Sequence, residues 1–126
     1  MKLHADRPDQ YSITSYGEDW IAVNGQRHAG SLIISSDTGV RSWSCPSFEQ
    51  IAEAHFQELL LPATPAPELV LFGSGQRLRF VHPALLRGLI GQRIGVETMD
   101  TVAACRTFNI LAAEGRRVTA ALLVGA

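Results

Sequence analysis

The chain has 126 residues, 46% of them hydrophobic and 18% charged, a balance that suits one packed globule and excludes disorder. A formal net charge of -1 excludes the dense basic stripe of a general nucleic-acid binder. Two cysteines, Cys45 and Cys105, and four histidines of which no two are three to five residues apart exclude a disulfide scaffold and a zinc site, so no metal and no cofactor is expected.

Residues 1–10 are polar and read as a loose arm ahead of one domain over residues 11–126. They hold early acids and no apolar core, unlike a signal peptide or a mitochondrial presequence. The uncharged run 118–126 is far short of a membrane span. A cytoplasmic protein with no membrane insertion is the expectation.

Residues 11–16 and 20–23 read as short strands separated by a turn at Gly17. Asn24-Gly25 signals a hairpin, because both residues tolerate positive φ. Residues 31–34 form the next strand, and a turn at 37–39 leads into an extended 40–44. The first third is therefore expected to be an antiparallel meander. Ser47 and Gln50 have capping-box spacing, and Phe48, Ile51, Ala52, His55 and Leu59 recur at helical spacing. This predicts a helix over 47–59, with His55 partly buried and hydrogen-bonded. Pro62, Pro65 and Pro67 make a stiff connector.

The second half reads differently. Residues 68–72 are a continuous apolar strand ending in Gly73-Ser74-Gly75, and 78–81 a short strand. Pro83 opens a helix expected to bury Leu85, Leu86, Leu89 and Ile90 and to stop near Gly91. A strand over 94–97 follows. Asp100 caps a helix running to Glu114, with Gly115 as its stop, and 117–124 is a last apolar strand. Strands joined by helical crossovers imply an α/β fold: N-terminal antiparallel strands joined to a mainly parallel or mixed central sheet packed by helices.

Ligands of parallel sheets bind beyond the strands' C-terminal ends. Gly73, Ser74 and Gly75 lie at one such end, and Glu97 and Asp100 at the next. The glycine turn is followed by a predicted strand, lacks a third glycine and lacks Gly-Lys-Ser/Thr, so it is neither a dinucleotide fingerprint nor a P-loop. Phe72 stands where a nucleophile elbow needs glycine. A tight turn requiring positive φ and a backbone nest for a small anion, aided by Arg77 or Arg106, are the two readings left. Ser74, His82 and Asp100 contain triad chemistry without triad spacing. Glu97 and Asp100 could act as paired carboxylates, though a cap at Asp100 and an arginine partner for Glu97 account for them more simply.

On the last helix Cys105, Arg106 and Asn109 share one arc with Val102, which predicts a polar brace or a small pocket wall on a helix buried on several sides. Cys105 is a plain buried thiol unless Arg106 lowers its pKa. Charge is segregated. Residues 1–67 hold four cations and eight acids, a sum of about -4, and residues 68–126 hold seven arginines and four acids, about +3.

Gly-Ser-Gly-Gln-Arg-Leu-Arg-Phe (73–80) and Gly-Val-Glu-Thr-Met-Asp-Thr-Val-Ala-Ala-Cys-Arg-Thr-Phe-Asn-Ile-Leu-Ala-Ala-Glu-Gly-Arg-Arg-Val (95–118) resemble the small domain family that includes mitochondrial complex I assembly factor 3 and bacterial and archaeal relatives. The resemblance spans most of the chain and is strongest over 68–124. It implies a compact α/β fold and work through protein partners, and it supplies no catalytic set. Another protein is thus the expected partner. A small-anion binder or enzyme at the Gly73–Gly75 edge is the alternative.

Overall fold

The computed structural model describes residues 10–60 and 66–125. Among the described residues, eight strands form two sheets. The smaller contains β1 (Ile13–Tyr16), β2 (Trp20–Val23) and β3 (Gln26–Ala29), all antiparallel. The larger contains β4 (Leu32–Ser35), β5 (Gly39–Ser42), β6 (Leu69–Gly73), β7 (Gly95–Met99) and β8 (Val118–Leu122), in the order β5-β4-β8-β6-β7. β6 runs parallel to both β7 and β8, whereas β4 runs antiparallel to β5 and β8. The mixed α/β architecture expected from the sequence is therefore present. The first third is not one meander, however: the chain leaves the small sheet after β3, and β4 joins the C-terminal strand β8.

β6 and β8 are apolar apart from the buried Thr119 because they are covered on both faces. Leu71, Ala120, Leu122 and Ile34 face α3 (Thr101–Ala113), with Ile13, Ile21 and Val23 of the small sheet in the same cluster. Val70, Phe72, Ala121 and Ile33 face the other way, toward α1 (Glu53–Gln57), α2 (Arg87–Gly91) and an aromatic cluster. In that cluster the ring of Phe72 meets Trp43, Phe48 and Phe56 at centroid distances of 6.2, 6.4 and 5.3 Å. Such pairs contribute about 0.5–1.5 kcal/mol each beyond their buried area.

The same cluster breaks the helix expected over 47–59. Phe48 and Phe56 both touch Phe72, yet eight residues of straight helix would part them by about 12 Å along its axis. The chain forms a single 3-10 turn at Phe48–Gln50, extends at Ile51, and starts α1 afresh. Ser47 makes no side-chain cap. His55 does this work instead: it is half-buried, and its Nδ1 accepts the Ala52 N–H at 2.9 Å. Pro83 opens a 3-10 turn at Pro83–Leu86 that leads into α2, but only Leu89 of the expected apolar set is fully buried, and Ile90 is 57% exposed. Pro62 and Pro65 lie outside the described residues, as does the arm before Gln10.

Candidate functional site

Parallel pairing of β6 with β7 puts the Gly73–Gly75 turn and the start of α3 at the same end of the sheet. They meet in direct contact. The Ser74 N–H donates to the Met99 carbonyl at 2.9 Å, and the Thr101 N–H donates to the Gly75 carbonyl at 2.9 Å. Thr101 Oγ1 accepts the Gly75 N–H at 2.9 Å and donates to the Leu123 carbonyl at 2.6 Å, tying three elements at one hydroxyl.

Gly73 has a packing reason and Gly75 a conformational one. A Cβ on Gly73 would lie 2.9 Å from Leu122 Cδ2 and 3.1 Å from Thr101 Cα, so the missing side chain lets α3 approach β6. Gly75 has φ +107, the positive-φ conformation that the tight turn requires. Ser74 is fully buried. Its Oγ donates to the Arg77 carbonyl at 2.7 Å and accepts the Arg79 N–H at 3.0 Å. The serine is thus the internal knot of the loop that follows.

Four of the backbone donors at this edge are already committed. The Ser74 N–H bonds the Met99 carbonyl of β7, the Gly75 N–H bonds Thr101 Oγ1 of α3, the Thr101 N–H bonds the Gly75 carbonyl, and the Ala103 N–H is held by Asp100 Oδ1 at 2.9 Å. An anion at this turn would have to displace those bonds. Ser74, His82 and Asp100 make no bond to one another: His82 Nδ1 accepts the Ala84 N–H, and Asp100 caps α3. Glu97 is exposed on the edge strand β7 and joins no ion pair among the described residues, so the expected arginine partner is absent.

Of the candidate residues, only Gly75 lines the hollow of about 410 Å³ at this end. Its lining includes Tyr16, Ile21, Val102 and Leu123.

On α3 the shared arc divides by depth. Cys105 is buried and Arg106 is exposed, and Asn109 braces the small sheet through Ile13. The helix is therefore covered on one side only, with Ile110 59% exposed. Burial, with the charge of Asp100 adding to it, pushes the Cys105 thiol up to about 12. Burial likewise pushes Cys45 up to about 11, against a hydrogen bond to Ser47 that lowers it. Both cysteines are free thiols, and neither environment makes a nucleophile. No group of three or more metal-ligating side chains occurs among the described residues, and none of their helices is long and apolar enough to cross a membrane.

The sequence reading leaves out the feature these bonds build. Residues 78–81 are not a strand but an irregular strap. The strap folds back on its own turn because Ser74 takes the Arg79 N–H, and Arg79 Nη2 reaches the Ser74 carbonyl at 3.1 Å. Arg79 also pairs with Glu49 at 3.1 Å, and its guanidinium carbon sits 4.4 Å from the Phe48 ring centre. The polarity is inverted relative to a packed strand. The Arg79 side chain is 15% exposed, while its neighbours Leu78 and Phe80 are 51% and 71% exposed. The signal in the sequence is the alternation Leu78-Arg79-Phe80 between a glycine turn and Pro83.

These features define a small mixed-sheet α/β domain whose strand-end turn is closed by packing and whose Leu78 and Phe80 ride exposed on an anchored strap. The chain belongs to the family described as Protein of unknown function (DUF498/DUF598), whose model matches residues 13–123. It is 36% identical over 121 residues to NADH dehydrogenase (ubiquinone) 1 alpha subcomplex assembly factor 3 of Bos taurus, covering 96% of this chain and 65% of that protein. The chain thus spans just under two-thirds of the length of the curated relatives it matches first. A crystal structure of a Bordetella parapertussis protein superposes with a TM-score of 0.84 at 39% identity, covering 91% of this chain and 96% of that one. The solution structure of a Bordetella pertussis Mth938-like domain gives 0.82 at 36% identity, covering 98% and 92%.

Proposed function

We propose that this domain acts by binding another protein, in work of the kind named for its assembly-factor relatives, and not by turning over a substrate. The observation that carries the reading is the anchored strap: Leu78 and Phe80 are held outward while Arg79 is held in. A loop fixed from beneath by Ser74 and Arg79 loses little freedom when it is covered, and pre-organised aromatic and apolar groups are what binding hot spots use. The relatives named as assembly factors align over nearly the whole of this chain, which supports carrying the class of work across. The strand-end turn, with its serine buried and its amides bonded, offers no nucleophile–base–stabiliser set. A cytoplasmic location goes with this reading.

The experiment compares capture from native cells by the wild-type chain and by a Phe80→Ser variant of equal stability. One reproducible partner that the variant loses is expected. Robust turnover in a broad activity screen, abolished by Ser74→Ala or Glu97→Gln in a folded protein, would replace this reading with an enzyme.

A further inference from the structure

The strap borders a groove of about 530 Å³. Phe48, Ile51, Val81 and Leu85, all partly buried, form its apolar floor, and Arg77 and His82, both exposed, stand on its rim beside Phe80. The charges around it do not cancel. The single carboxylate lining it, Glu49, is paired with Arg79 at 3.1 Å. Arg87 nearby in sequence is offset by Glu53 at 3.7 Å. Arg77 is exposed and joins no ion pair among the described residues. His82 has its Nδ1 committed to the Ala84 N–H.

We infer that the occupant of this groove is a short segment of another protein in which one or two apolar side chains are flanked by carboxylates. This deepens the protein-binding reading and rests on it. The apolar floor accepts the hydrophobic side chains, and Arg77 offers a planar fork of donors to a carboxylate beside them. A second copy of this chain is the poorer fit. A two-fold contact through the strap would bring together two rims that each carry an uncompensated Arg77, and like charges in apposition oppose association.

The test uses the full chain, labelled with nitrogen-15, and two blocked tetrapeptides, Glu-Leu-Phe-Glu and Lys-Leu-Phe-Lys. Amide shifts are expected to localise to residues 48–51 and 76–86. The acidic peptide is expected to bind roughly threefold or more tightly than the basic one, the size of a partly screened charge contact. The preference should weaken with salt and reverse in Arg77→Glu, whose backbone bonds are those of the wild type. Equal binding of the two peptides, or shifts confined to another face, would overturn the inference. So would concentration-dependent dimerisation in sedimentation that Phe80→Ser abolishes, which would assign the groove to a second copy. If capture from cells depends on Phe80 while the peptides bind equally, the partner chemistry falls and the protein-binding reading stands. If capture is also indifferent to Phe80, both fall.

Discussion

Asn109 on α3 holds both backbone polar groups of Ile13 on β1, 96 positions away in the chain: its Oδ1 accepts the Ile13 N–H at 2.8 Å and its Nδ2 donates to the Ile13 carbonyl at 2.8 Å. β1 is an edge strand, so the amide takes the place of a missing neighbour strand and blocks pairing at that point. It also fastens the small sheet to the helix that covers the large one.

Asn109→Leu leaves that donor and acceptor without partners. Each buried orphan costs roughly 1–3 kcal/mol. For the two groups together urea denaturation should show a loss of about 2–6 kcal/mol, and hydrogen exchange should show β1 opening before β6 or β8. Unchanged exchange at Ile13 would mean that the brace is not what holds β1.

How much of this was legible in the sequence depends on the range of the interaction. Local rules held: Asn24 and Gly25 take positive φ as the hairpin requires, Asp100 caps α3, and Gly115 ends it at φ +83. β3 was missed because Gln-Arg-His-Ala has little strand propensity, and its strand state comes from pairing with β2 across the turn. The break after Phe48 depends on Phe72, more than twenty residues ahead, and no local pattern encodes it. At the strand end, chain order gave the right neighbours but not the hydrogen bonds, which turn an apparent anion nest into a packed joint.

Gly73→Ala tests that joint. The added methyl meets Leu122 Cδ2 at 2.9 Å, Thr101 Oγ1 at 3.0 Å and the Thr101 backbone at 3.1 Å. The backbone contact cannot swing aside, so α3 must shift. Overpacking of this kind costs about 1–3 kcal/mol. The expected outcome is a lowered denaturation midpoint with shift changes spread along α3. A variant as stable as the wild type would show that α3 does not need this close approach.

The thiols set a pH dependence on the alkaline side. Burial raises Cys45 to about 11 and Cys105 to about 12, above the ordinary value of 9.0, so the fold favours the protonated forms. Their contribution is fully present below pH 9 and is lost as pH rises through the folded values. The urea midpoint should therefore be insensitive to these groups near neutrality and decline above pH 9, and Cys105→Ala should flatten that decline. A Cys105→Ala profile parallel to the wild type above pH 9 would rule out a buried protonated thiol at this position.

Arg79→Lys separates anchoring from charge. Arg79 makes three contacts at once: an ion pair with Glu49, a hydrogen bond to the Ser74 carbonyl, and a guanidinium over Phe48. A lysine keeps the charge and one contact, but an ammonium has neither the fork nor the flat face to make all three. Because the strap contributes no strand to either sheet, global stability should fall by about 1–2 kcal/mol, the size of an ion pair with one exposed partner and a cation–π contact together. The strap itself should loosen, seen as lower heteronuclear NOE values over residues 76–82, with those of β6 unchanged. Partner capture should weaken even though Leu78 and Phe80 are intact, because a mobile strap must be ordered on binding. Full capture by a visibly loosened strap would mean that Leu78 and Phe80 bind without the support of Arg79, and would remove the reason given for its burial beneath them.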